Sequence, residues 1–334
     1  MKERKLEITK KLEDIAHKGV LDDIVAILNL PSANYCEKRA ERVLVNNRLQ
    51  QSCFGCISQD IRTGSALSLA EIKDVIDIFA RDYETRFITI NGRGDPFHSR
   101  LKSLNLSKVR YAFDKYGIQS YIFTSGNNLD NEVCSTLVGN DANIMISLFG
   151  NQFIDADFFA GREYTKALKP LQNQAEIADN LRRLIQAYRE HPNQPEQGTT
   201  RIGINYVVSE RDFVDKGTKV KDLKQATNDN GLFFVCNLPF QENPDKNIQE
   251  LLKDIARAHS NFNLPHSTVV NGQCQMGAGS SVTIDYDGTM YRCPYMDIGG
   301  DGKIQNLGPK DIHEVVMRYM KNKGLCVIRL SENE

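Results

Sequence analysis

Phe87-Ile-Thr-Ile-Asn91, followed at once by Gly92-Arg-Gly-Asp-Pro96, is the stretch that decides the fold. Its start is apolar and β-branched, as a buried strand is, and its two glycines then let the chain turn sharply. Upstream, Ser68-Leu-Ala-Glu71 is a helix-capping box, and Ile72, Val75, Ile76 and Phe79 follow at helical spacing. Downstream, residues 106–116 read as a helix closed by Gly117, and residues 120–125 as the next strand.

The same rhythm extends in both directions. Residues 4–29 show helical periodicity, and the β-branched run 42–47 reads as the first strand of the sheet. Further along, 143–148 reads as a strand, and Ile177, Leu181, Leu184, Ile185 and Tyr188 form a helical stripe. A strand at 201–209, a helix at 219–228 and a strand at 232–236 complete about six β/α units. The expected fold is α/β, a partial (β/α)6 barrel with parallel strands. After about residue 260 the pattern changes. Residues 281–286 alternate, Asp287-Gly288 is a hairpin turn, 289–292 can pair back, and 310–322 form a short helix. The division expected is a helical segment over 1–40, the barrel over 41–262, and a small C-terminal α+β domain over 263–334.

Composition narrows the functional classes. Lys+Arg of 42 against Asp+Glu of 43 leaves a net charge of -1, without the positive field of a nucleic-acid binder. No apolar run is long enough to span a membrane, and no apolar segment follows the charged start Met1–Lys5, so the cytoplasm is the expected location. Eight cysteines in such a chain read as metal ligands or core thiols, not as a disulfide framework.

In parallel α/β folds, functional residues sit at the carboxyl ends of strands. Five peptides fall there: Cys53-Phe-Gly-Cys56, Gly92–Pro96, Thr124-Ser-Gly126, Ser147 and Ser209-Glu210. Singly, each has an ordinary explanation, such as half of a zinc site or a tight turn. Together on one rim they mark a site. Tyr206 and Glu210 are placed to line the pocket, His98 just beyond Pro96 reads first as a surface residue, and Cys134 and Cys236 both read as core thiols, Cys236 at a strand end that opens onto the rim.

The order of cysteine pair, Gly-rich acidic turn ending in proline, Thr-x-Gly turn and strand-terminal serine resembles the radical S-adenosylmethionine (SAM) family. Its motif is C-x3-C-x2-C after the first strand, and Cys53 and Cys56 match the last two cysteines. The resemblance implies that these two hold a [4Fe–4S] cluster. It also implies that Gly92, Gly94, Asp95 and Pro96 receive the methionine amino group, with Thr124 and Ser147 as further SAM contacts. Three thiolates leave one iron open for the amino and carboxylate groups of SAM. Electron transfer then cleaves the sulfonium to a 5′-deoxyadenosyl radical, which abstracts hydrogen from a peptide or small-molecule substrate. A reducing partner such as a flavodoxin or ferredoxin is implied.

One departure stands out. Leu49 occupies the place of the first cysteine, and leucine binds no iron. Cys36 would give C-x16-C-x2-C, but with 42–47 as the first strand it starts at the wrong end and reads as structural. A degenerate fold that only binds a ligand or partner is the alternative, and a zinc-bound α/β protein is a third class. In the tail, Cys274, Gly288 and Cys293 have the spacing C-x13-G-x4-C, which resembles the opening of SPASM/twitch auxiliary domains. With Cys326, they would hold an auxiliary cluster.

Overall fold

The computed structural model describes residues 25, 27–37, 42–45, 48–51, 53, 65–91, 94–150, 172–191, 201–237, 281–294 and 300–321, with isolated positions between 247 and 258. Ten strands are present among them: β1 (Ile27–Asn29), β2 (Arg42–Val45), β3 (Arg48–Gln51), β4 (Phe87–Ile90), β5 (Gln119–Thr124), β6 (Asn143–Phe149), β7 (Ile202–Val207), β8 (Phe233–Asn237), β9 (Ser281–Ile284) and β10 (Met290–Tyr291). The helices are α1 (Leu69–Asp82), α2 (Lys102–Tyr116), α3 (Asn131–Gly139), α4 (Gln172–Glu190), α5 (Glu210–Val214), α6 (Thr218–Asp229) and α7 (Pro309–Lys321).

Eight strands form one sheet in the order β10-β9-β1-β4-β5-β6-β7-β8. All neighbours are parallel except β9 and β10. The run β1, β4, β5, β6, β7, β8 is a consecutive parallel series, the α/β architecture that the alternating pattern implies.

The entry to this series differs from the sequence expectation. Arg42–Val45 is not the first strand of the sheet; it pairs antiparallel with Arg48–Gln51 in a separate two-stranded hairpin. The first strand is Ile27–Asn29, inside the stretch that reads as helical. Three residues are too few to show a strand period, and Val25 and Leu28 have helical spacing as well. The β-branched character of 42–45 is real, but a local hairpin satisfies it.

Side chains on one face of the sheet, among them Ile90, Ile122, Ile146, Ile204 and Phe234, join the buried faces of α2, α3, α4 and α6 in one core. A second core joins Leu28, Ile88, Val282 and Ile284 to α1 and α7. Each fully buried Ile, Leu or Phe contributes roughly 1.5–3 kcal/mol. Local signals set the helix ends. The Ser68 hydroxyl accepts from Glu71 N at 3.3 Å, and the Glu71 carboxylate accepts from Ser68 N at 2.7 Å. Gly117 closes α2 at φ +65°.

The C-terminal hairpin joins the sheet. β9 lies parallel to β1, Leu28 opposite Val282, and β10 returns antiparallel through a turn with Gly288 at φ +90°. The expected boundary at 262/263 lies outside the described residues. Asn29 ties this edge: its Nδ2 donates to Ser281 Oγ (2.7 Å) and Val282 O (3.2 Å), and its Oδ1 accepts from Thr89 Oγ1. We expect Asn29→Ala, which orphans two buried hydroxyls, to cost about 2–4 kcal/mol. Hydrogen exchange at 281–284 should accelerate with it; unchanged exchange would mean that Asn29 does not hold the edge.

Lys108 on α2 gives a pH signature. It is 3% exposed, its Nζ donates to Leu30 O at 3.3 Å, and burial pushes its pKa down to about 8 despite the opposing charge of Asp285. Below pH 8 both folded and unfolded lysines are charged, and the burial cost is full. Between 8 and about 10.4 the unfolded chain binds more protons, so stability rises with pH, by about 3 kcal/mol at most. Urea titrations should show the unmodified chain gaining stability over this window relative to Lys108→Met, in which the other titrating groups are unchanged.

Candidate functional site

Parallel strands deliver their carboxyl ends to one rim, and three of the loops there are tied together. After β4, the backbone turns at Gly94 with φ +55°. A Cβ at Gly94 would stand 2.6 Å from the carbonyl oxygens of Ala33 and Tyr35, so the loop after β1 presses directly on this turn. Asp95 N donates to Tyr35 O at 2.7 Å.

The Asp95 side chain, 1% exposed, reaches the loop after β5. Its carboxylate accepts from Thr124 Oγ1 (3.0 and 3.1 Å), Ser125 N (2.6 Å), Ser125 Oγ and Phe97 N (2.9 Å). Asp95 and Thr124 therefore spend their side chains on each other. Pro96 is buried, and its carbonyl accepts from Asn105 Nδ2 at 2.8 Å. The turn continues to Asn128, whose Nδ2 donates to both Glu37 oxygens at 2.7 Å. Beside it Asn127 is 8% exposed, and its buried Oδ1 has no hydrogen-bond partner among the described residues.

Ser147 lies on the sheet face opposite the helices, since its neighbours Ile146 and Leu148 enter the core. Its hydroxyl accepts from Asn205 Nδ2 at 3.3 Å, and Asn205 Oδ1 accepts from Asn237 Nδ2. This row crosses β6, β7 and β8. Sequence reasoning missed both asparagines, although their alternation with Ile204, Tyr206 and Cys236 carries the signal.

Cys53 is 7% exposed and packs on Phe149 and Val207, the last residues of β6 and β7. It therefore shares the carboxyl end with the Gly94–Pro96 turn. Cys36 is half-buried in the loop after β1. Gly92, Cys56, Cys274 and Cys326 lie outside the described residues, as does the side chain of Leu49. The Leu49 backbone is in β3, opposite Leu44. Cys293 is buried just after β10, which runs away from the carboxyl rim. Among the described residues no group of three or more His, Cys, Asp or Glu is placed to hold a metal ion.

One residue leaves the candidate set. Tyr206 does not border the site; it is fully buried toward the helices, with its hydroxyl donating to Asp212 at 2.7 Å. Burial raises the pKa of both partners. Cys236 is a core thiol, 0% exposed, its pKa likewise pushed up by burial. Cys134 is one too, at about 11. His98 stacks on Tyr35 with ring centroids 5.6 Å apart.

Among the described residues, Cys36 in the loop after β1 and Cys53 over the ends of β6 and β7 lie at the carboxyl rim, which also carries the buried acceptor Asn127 Oδ1.

No protein-family profile and no curated protein matches the sequence. Solved structures do match. Native anSMEcpe with bound AdoMet (SAM) aligns at TM-score 0.54 and 13% identity over 88% of this chain and 82% of that one. Native anSMEcpe with AdoMet and the Cp18Cys peptide aligns at 0.54 and 13%, over 88% and 81%. The polyhistidine-tagged form with AdoMet gives 0.53 and 12%, over 88% and 82%. This chain shares the fold of these proteins, and the bound AdoMet and peptide are theirs.

The close approach at Gly94 can be tested. Gly94→Ala adds a clash with backbone to a left-handed φ and should cost more than about 2 kcal/mol. Gly117→Ala, at φ +65° with nothing within 4 Å of the new Cβ, should cost only about 1 kcal/mol. Denaturant midpoints compare the two, and equal losses would mean that the rim loop does not press on Gly94.

Proposed function

We propose that the chain is a radical SAM-type enzyme that binds AdoMet and an iron–sulfur cluster at the carboxyl rim. One observation carries the reading: Cys53 and the Gly94–Pro96 turn share that rim, in the fold of AdoMet-bound enzymes. Cys53 and Cys56 supply thiolates to a [4Fe–4S] cluster. When bound, such a cluster supplies the electron that reductively cleaves AdoMet, leaving a carbon radical to abstract hydrogen.

The chain's own residues bind and orient. Gly92 and Gly94 let the backbone approach the methionine amino group, while Asp95, Pro96 and Thr124 hold that turn in shape. Ser147, with Asn205 and Asn237, presents hydroxyl and amide groups to the carboxylate or ribose of AdoMet. Cys274, Cys293 and Cys326 form an auxiliary cluster site in a SPASM/twitch-like tail. The substrate class is a peptide or small metabolite, in line with the peptide bound to one neighbour. No helix among the described residues is long and apolar enough to cross a membrane. We place the chain in the cytoplasm with a flavodoxin or ferredoxin as electron donor.

A second reading keeps AdoMet binding without the redox chemistry. The two separate on one experiment. Anaerobic reconstitution with iron and sulfide should give a brown protein that releases 5′-deoxyadenosine from AdoMet with dithionite, and Cys53→Ala should reduce that release to background and lower the brown absorbance to the auxiliary site's share. A colourless protein that still binds AdoMet would replace the enzyme reading with the binding module.

A further inference from the structure

We infer that Cys36 is the third thiolate of the cluster, in a motif C-x16-C-x2-C with the β2–β3 hairpin inserted between its first and second cysteines. The inference rests on the iron–sulfur reading above and names the ligand which that reading lacks.

The topology places Cys36 correctly. The first strand of the sheet is β1, ending at Asn29, and Cys36 follows it in the loop at the carboxyl rim. The strand that would have put Cys36 at the far end, Arg42–Val45, is outside the sheet altogether. The hairpin departs and returns within the sixteen intervening residues, so it adds length without moving the ends apart.

The backbone around Cys36 is fixed on the rest of the site. Tyr35, the residue before it, accepts Asp95 N at 2.7 Å and lies against Gly94. Glu37, the residue after it, is held by Asn128 Nδ2 at 2.7 Å. Consecutive Cα atoms are about 3.8 Å apart, so Cys36 is pinned between the turns that follow β4 and β5. The His98 ring and the Arg100 guanidinium, 5.1 Å from the Tyr35 ring, hold that anchor from its other side. Cys53 packs on the ends of β6 and β7. In the sheet order β4-β5-β6-β7, the turns that hold Cys36 adjoin the strand ends under Cys53, so both cysteines belong to one stretch of the carboxyl rim.

The competing explanations fit less well. A packing cysteine is normally buried, as Cys134 and Cys236 are, whereas Cys36 is half-buried and belongs to none of the core clusters. Leu49 is a hairpin residue in register with Leu44, not a lost ligand in the loop after the first strand.

The test counts iron and maps thiols. In a Cys293→Ala background, so that only the rim site is measured, anaerobically reconstituted protein should bind roughly four irons per chain. Cys36→Ser should lose iron to the same extent as Cys53→Ser, and adding Leu49→Cys should not restore it. The unsubstituted chain gives an independent readout. Iron loading should slow iodoacetamide alkylation of Cys36 and Cys53 by about tenfold or more, while Cys134 stays unchanged. Full iron content in Cys36→Ser, or Cys36 alkylated equally with and without iron while Cys53 is protected, overturns the inference and leaves the enzyme reading standing. No iron uptake and no protection of Cys53 in the unsubstituted chain overturns both.

Discussion

The Asp95 carboxylate organises the rim. A carboxylate at 1% exposure would be costly to bury alone, and it is stable here because four groups donate to it, two of them backbone amides. Those donors come from its own turn and from the loop after β5, and its own amide is spent on the loop after β1. One residue, through its side chain and its own amide, thus sets the mutual positions of three strand ends. Gly94 enters for the same reason: the loop after β1 approaches too closely for any side chain at that position.

This arrangement separates holding from binding. The side chains that look most functional in sequence, Asp95 and Thr124, are occupied with each other. Among the described residues, the other polar groups of this rim are the turn backbone, Asn127 Oδ1, the Ser147–Asn205–Asn237 row and the thiols of Cys36 and Cys53. Backbone groups fixed by buried hydrogen bonds make a preorganised receptor, because they lose little freedom when a ligand arrives.

Legibility follows the range of each interaction. The Ser68–Glu71 capping box and the Gly117 stop depend on residues a few positions apart, and both are readable. The parallel series is readable because its strands are long enough to show a pattern. β1 is not, because three residues inside a helical period carry no strand signal, and this one misreading moves the first strand by fifteen residues, from 27 to 42. The Asp95–Thr124 tie spans 29 positions and the Ser147–Asn205 bond 58. Sequence can place these residues on one rim, but not say which touch each other.

The place of the first strand also decides at which end of the sheet Cys36 lies. A ligand motif is defined by where the chain leaves the sheet, not by spacing alone. An antiparallel hairpin starts and ends at neighbouring points, since β2 and β3 pair along their whole length from Arg42 opposite Gln51 to Val45 opposite Arg48. The ten residues of the hairpin from Arg42 to Gln51 therefore change the count between two cysteines while leaving the distance that their loop must span almost unaltered. The entropy of closing a longer loop grows only logarithmically, and the paired backbone satisfies its own hydrogen bonds. An enlarged spacing at this point of the fold is therefore a small structural cost.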